Sequence, residues 1–211
     1  MGRVLYAVLL IATFAPCSAL AGKIPENLFA SVYYKNDKIG QVHLTTLKNE
    51  KGEIEQLKAI ASISFLGLEV YGFNQNLQED WVAGELQNMS GKTDDNGTAH
   101  EISLKRTQVQ YDATYNKSSL TLPLDAFPTS PWHYDITQNH LLFNIVDFEL
   151  LKVEISESPD TVKIGDTSIP TTKFDFTGEW KARLWFDKNK QFVKGEYDVS
   201  GRQVTVILDP K

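Results

Sequence analysis

Cysteine is all but missing from this 211-residue chain: the single one, Cys17, lies within the N-terminal stretch of 21 residues that opens with an apolar run. A chain that has lost that stretch can form no disulfide and offers no thiol nucleophile, so its stability has to come from packing. A basic stripe is missing as well. Lys and Arg number 21 against 27 Asp and Glu, a net charge of −6, which leaves nothing to neutralise a phosphate backbone; no nucleic-acid partner is expected. After residue 22 there is no second long apolar run, so no transmembrane segment is expected once the N-terminal stretch is removed. Gly-x-Ser-x-Gly is absent, and no two histidines lie within four positions of each other beside a carboxylate. On these grounds no catalytic residue, no cofactor and no metal site is expected. Internal repeats and Gly- or Ser-rich linkers are also lacking, so residues 22–211 are expected to form one domain.

What is present begins with "MGRVLYAVLLIATFAPCSALAG". Arg3 supplies a positive start, residues 4–15 form a short apolar run, and Ala19-Leu20-Ala21 offers the small residues that signal peptidase accepts. Residues 1–21 are therefore expected to be a cleaved signal peptide, and the location to be periplasmic or secreted. Pro16 before Cys17 is a poor fit to lipoprotein processing, which makes lipidation the lesser reading. Removing Arg3 with the leader makes the remainder one unit more acidic.

From Leu28 onward the dominant period is two. "LFASVYYK", "GQVHLTTLK" and "EIEQLKAIASISF" read as successive strands, and Asn96-Gly97, Gly165-Asp166, Asp187 to Lys190 and Ser200-Gly201 read as turns. Short turns serve antiparallel neighbours, so the pattern predicts an all-β meander of about ten or more strands. In "EWKARLWFD", Trp180, Ala182, Leu184 and Phe186 share one face, and Trp185 falls on the other with the charged residues. A short helix is expected at about 136–146, with Asp135 or Thr137 as its cap.

The candidate functional residues are scattered. "DAFPTSPWHYD" (125–135) gathers two prolines with Trp132, His133, Tyr134 and Asp135; the prolines must stop the strands there. Long loops carry function more often than tight turns, and Trp132 reads most simply as a plug over one end of an apolar interior. His100 shares a strand face with Ile102 and Leu104 and reads first as a hydrogen-bonded core residue. Asp94-Asp95 before Asn96-Gly97 reads as turn chemistry, because the further oxygen ligands of a calcium loop are absent. A carboxylate pair on neighbouring strands, such as Glu69 with Glu79, stays open. Strand aromatics such as Phe174 and Trp180 build cores by default, or line a cleft if the sheet curves without closing.

Several ordered stretches together resemble a family of exported bacterial proteins known only as a domain of unknown function, of spiral β-roll type. They include "YYKNDKIG" (33–40), "EDWVAGEL" (79–86), "PTSPWHYD" (128–135), "VKIGDTSIPTTKFDFTGEWKARLWFD" (162–187) and "FVKGEYDVSG" (192–201). The resemblance implies a periplasmic or secreted all-β protein whose single curved antiparallel sheet rolls into an open or partly closed barrel. It implies no catalytic residue.

The leading expectation is a non-enzymatic binding or accessory protein of the cell envelope. Its ligand would be apolar or amphipathic and lipid-like, held by Trp132, His133, Tyr134, His100, Trp180 and Phe174, with an envelope protein as a possible partner. The alternative is a hydrolase or lyase acting on envelope or extracellular carbohydrate. That alternative requires His133 or Asp135 in an open cleft within hydrogen-bond reach of another titratable group.

Overall fold

Alternation of apolar and polar side chains is realised almost from end to end. The computed structural model describes residues 25–50, 52–65, 68–199 and 201–210; the expected leader lies outside them. The first half is an up-and-down meander: β1 (Asn27–Tyr34), β2 (Asp37–Asn49), β3 (Gly52–Phe65), β4 (Leu68–Val82), β5 (Glu85–Asp95), β6 (Thr98–Arg106), β7 (Tyr111–Tyr115) and β8 (Ser118–Leu122). A connecting segment follows, holding β9 (Phe127–Pro128), a 3-10 turn (Tyr134–Gln138) and β10 (Leu141–Phe143). The second meander is β11 (Leu150–Ile164), β12 (Thr167–Gly178), β13 (Ala182–Asp187), β14 (Phe192–Val199) and β15 (Arg202–Leu208).

All fifteen strands belong to one curved sheet, ordered from β8 down to β1, then β15 down to β9. The two meanders are joined by β1 and β15, which pair antiparallel from Ala30↔Leu208 to Tyr34↔Val204. Neighbours are antiparallel except for the short pair β9–β10. The sheet does not close into a barrel: β8 and β9 are its two edges, and residues 123–126 carry the chain from one edge to the other.

Turns follow local chemistry. Asn96 and Gly97 both take positive φ (52° and 85°), the geometry of a two-residue hairpin, and Asp94 Oδ1 accepts the Gly97 N–H at 2.7 Å. The Asp94-Asp95 pair thus serves the turn. The helix expected at 136–146 is a correction. Only one 3-10 turn forms among the described residues there; His133, not Asp135 or Thr137, occupies its N-cap position, with no side-chain cap hydrogen bond. Leu141–Phe143 then pairs with Leu150–Lys152 of β11 instead. A loose 3.6-residue spacing gave one turn of coil, and the apolar run after it found a ladder, which satisfies its backbone equally well.

The dry inner face is shared by two apolar clusters. One gathers residues of β1–β8, among them Leu44, Leu57, Leu77 and Leu86; the other centres on Phe174, Phe176, Leu184 and Phe186. The connecting segment crosses this interior. Trp132, Phe143, Ile145 and Phe148 are buried in the first cluster, and Ile136 and Leu142 in the second. Trp185 lies on the opposite face, as the alternation predicts. There it packs with Val162 and Val193 and donates its indole N–H to Asp160 Oδ2 at 2.8 Å.

Close strand approach fixes one glycine. A Cβ on Gly40 would sit 2.1 Å from the Ile60 carbonyl oxygen and 2.6 Å from Ala61 Cα, both backbone atoms of β3. Gly40→Ala is expected to cost about 2 kcal/mol or more, by forcing β2 and β3 apart. Urea denaturation measures this, and an unchanged midpoint would refute so close an approach.

Candidate functional site

Two places on the inner face stand apart from ordinary core. The first is a buried polar cluster. Antiparallel register sets Glu55 of β3 directly opposite Glu79 of β4, both on the stripe that otherwise carries Leu57, Ala59, Leu77 and Trp81. Their side chains are 1% and 2% exposed, and like charges so placed repel. The connecting segment answers them. His133 Nε2 lies 2.9 Å from Glu55 Oε2 and 3.7 Å from Glu79 Oε2. The Ser130 hydroxyl donates to Glu79 Oε1, and the Trp81 indole N–H donates to Glu79 Oε2 at 3.0 Å. The Trp81 ring covers the imidazole, with centroids 4.1 Å apart. Glu55 Oε1 has no hydrogen-bond partner, nor has the hydroxyl of buried Thr46, which faces Glu55 from β2.

Burial, followed by the charge of Glu55, pushes the Glu79 carboxyl up to about 7, although His133, Ser130 and Trp81 pull the other way. Burial would lower the pKa of His133. The charge and hydrogen bond of Glu55, with Glu79 and Asp135 behind them, more than reverse this, so His133 is held above its ordinary value. The arrangement therefore favours a protonated imidazole between two carboxylates that compete for ionisation.

The second place is an apolar cavity of about 410 Å³ further along the same inner face. Val42, Ala61, Ile63, Phe73 and Val206 line it, Asn144 and Val146 reach it from the connecting segment, and Tyr71, Asp95 and Arg202 supply its polar groups. Burial, then the hydrogen bond and charge of Asp95, raise the Tyr71 phenol to about 12, with Arg202 acting in the opposite sense. A larger open cleft of about 900 Å³ lies over outward-facing residues such as Gln56, Lys58 and Asn76 and is lined mainly by polar side chains.

The six residues expected to bind ligand do not converge on one place. Trp132 is buried and lines a 260 Å³ hollow with Leu28, Phe192 and Leu208. His133 belongs to the carboxylate cluster. Tyr134 packs edge-on against Phe174 (5.8 Å), which is core, with Lys190 over its ring. Trp180 follows β12 and packs against Phe176 and Tyr197. His100, on β6, bonds the Tyr115 hydroxyl at 2.8 Å. Glu79 does belong to a cross-strand carboxylate pair, but its partner is Glu55; Glu69 lies on the same strand as Glu79. Sequence reasoning missed Glu55, Thr46 and Ser130. The available signal was parity: a glutamate in step with Leu57, Ala59 and Ala61 sits on a dry face.

A family model described as "Domain of unknown function (DUF6134)" matches residues 31–209. The chain belongs to that family. A comparison with curated proteins gives no match. Among solved structures it is similar to one titled "Crystal Structure of Beta-barrel-like Protein of Domain of Unknown Function DUF1849 from Brucella abortus". The TM-score is 0.63 at 7% identity, over 88% of this chain and 95% of that one. At that identity the likeness shows the fold alone. The DUF6134 chain is thus an all-β, barrel-like protein whose function has to be read from its own side chains. No helix among its described residues is long and apolar enough to cross a membrane.

Ser130→Ala removes one of the two donors that hold Glu79 out of water. A loss of about 1–3 kcal/mol is expected by chemical denaturation, the cost of a buried oxygen left unpaired. Tyr71 gives a pH prediction. Its folded pKa lies above the unfolded value near 10, so the unfolded chain releases the proton first. That contribution to stability is intact below pH 10 and lost as pH rises towards about 12. Tyr71→Phe should flatten that part of the stability–pH curve, and an unchanged curve would place Tyr71 in water.

Proposed function

We propose that this chain is a non-enzymatic binding protein that holds an apolar or amphipathic, lipid-like ligand in the apolar end of its curved sheet. The observation that carries the reading is the 410 Å³ cavity, apolar on most of its wall, with Tyr71, Asp95 and Arg202 among the residues lining it. Its volume is in the range of small-molecule sites, and a mainly apolar wall with a few polar groups is their usual composition. A hydrocarbon tail would lie against Ile63, Phe73 and Val206, and a polar head would meet Asp95 and Arg202. The leader-like residues 1–21 support a periplasmic or secreted location. The unpaired edges β8 and β9 leave backbone groups that an envelope partner protein could use.

The carbohydrate hydrolase or lyase reading draws no support from the same geometry. His133 does reach a titratable partner, but that partner is a carboxylate only 1% exposed, and neither residue lines the open 900 Å³ cleft.

Protein purified from its native compartment is expected to release a lipid-like molecule in about equimolar amount on solvent extraction and mass spectrometry. The stripped protein should take up the apolar fluorophore N-phenyl-1-naphthylamine. Ile63→Trp, which fills the cavity, should weaken uptake by about tenfold or more while leaving the circular dichroism unchanged. A clean protein that takes up no fluorophore would overturn the reading.

A further inference from the structure

We propose that Glu55, Glu79 and His133 form a site for one divalent transition-metal ion of the zinc class, pinned between β3, β4 and the connecting segment. A ligand atom from each of the three lies within 4.8 Å of the others. One imidazole nitrogen and two carboxylates suit Zn²⁺ or Mn²⁺, and three protein ligands leave a position for water. Ca²⁺ would ask for six to eight oxygens, which the site does not supply.

Burial and charge point the same way. Both carboxylates are removed from water, and among the described residues the ion-pair partner of each is His133. With both carboxylates ionised, one imidazolium leaves this set of three negative, whereas a divalent cation with neutral His133 balances it. Independent of the charge, two oxygens are left over. Glu55 Oε1 has no partner, and neither has Thr46 Oγ1 at the facing position on β2, although both residues are nearly fully buried. Native interiors leave few such groups. An ion coordinated by Glu55, with its water beside Thr46, would satisfy both.

The surroundings are those of a supported metal centre. Trp81 and Ser130 each donate to Glu79, which fixes the orientation of that carboxylate as outer partners of ligands do. His133 and Ser130 come from the connecting segment while Glu55 and Glu79 come from the sheet, so the ion would tie the two together. The site is also separate from the apolar cavity. Ala61, in that cavity, lies six residues along β3 from Glu55, about 20 Å at the rise of a strand.

The test uses the full chain stripped with chelator and titrated separately with Zn²⁺ and Mn²⁺ by calorimetry and thermal denaturation. One equivalent of at least one ion should bind and raise Tm, since an ion held only by the folded state stabilises it by mass action. Glu55→Gln and His133→Gln should each weaken binding by about 100-fold, and Glu101→Gln, on the exposed face of β6, should leave it unchanged. Imidazole NMR of the wild-type chain gives a readout that does not depend on variants folding. One equivalent should shift the His133 ring resonances and leave those of His43, His100 and His140 in place. Absence of stoichiometric binding, binding that survives both substitutions, or a shift at the other histidines instead would overturn the proposal.

Discussion

A fifteen-stranded sheet with a dry inner face has to cover that face, and the described residues include no helical layer to do it. The cover comes from residues 123–149, which leave one sheet edge at β8, run through the interior, and rejoin the other edge through β9 and β10. Their backbone is satisfied from within: the Ile145 N–H meets Thr129 Oγ1, and the Ile145 carbonyl accepts from Gln75 of β4. Trp132, Phe143 and Phe148 supply the apolar bulk. Core packing and both candidate sites follow from where this segment passes.

Its path divides the inner face into two unlike ends. At one end Ser130 and His133 descend onto Glu55 and Glu79, and the interior there is filled and polar. Towards the other, only Asn144 and Val146 reach the cavity wall, and an apolar space remains. The burial of two facing carboxylates opposes folding, and removing His133 from between them would be worse than never having had the cluster. The interior is therefore specified by charge at one end and by unfilled volume at the other.

Much of the fold could be read from alternation. The strand pattern, the Asn96-Gly97 turn, and the outward turn of Trp185 against the inward Leu184 and Phe186 all follow from a period of two and local turn chemistry. The expected helix did not, because three apolar residues in a row, Leu141–Phe143, suit a buried strand as well as a helix. The carboxylate cluster was hidden for a different reason. His133 and Glu55 are 78 residues apart, and only sheet register brings them together. Glu55 could have been suspected from parity, but Ile54 and Ile60 on the other face of β3 blur which side is dry. Cross-strand position depends on every turn before it, and no local pattern holds that information.

The pairing of β1 with β15 also sets an order for folding. Each meander grows through neighbouring hairpins with short turns, whereas β1–β15 joins residues nearly a whole chain apart; the Ser31–Asp209 hydrogen bond beside it spans 178 positions. Loop entropy makes such a contact late, after the local hairpins have formed. Until then "LFASVYY" and "QVTVIL" are proline-free, largely apolar edges paired on one side only, the form of strand most prone to join another chain. The step that makes one sheet from two is thus also the point at which a nascent molecule is most exposed to its neighbours.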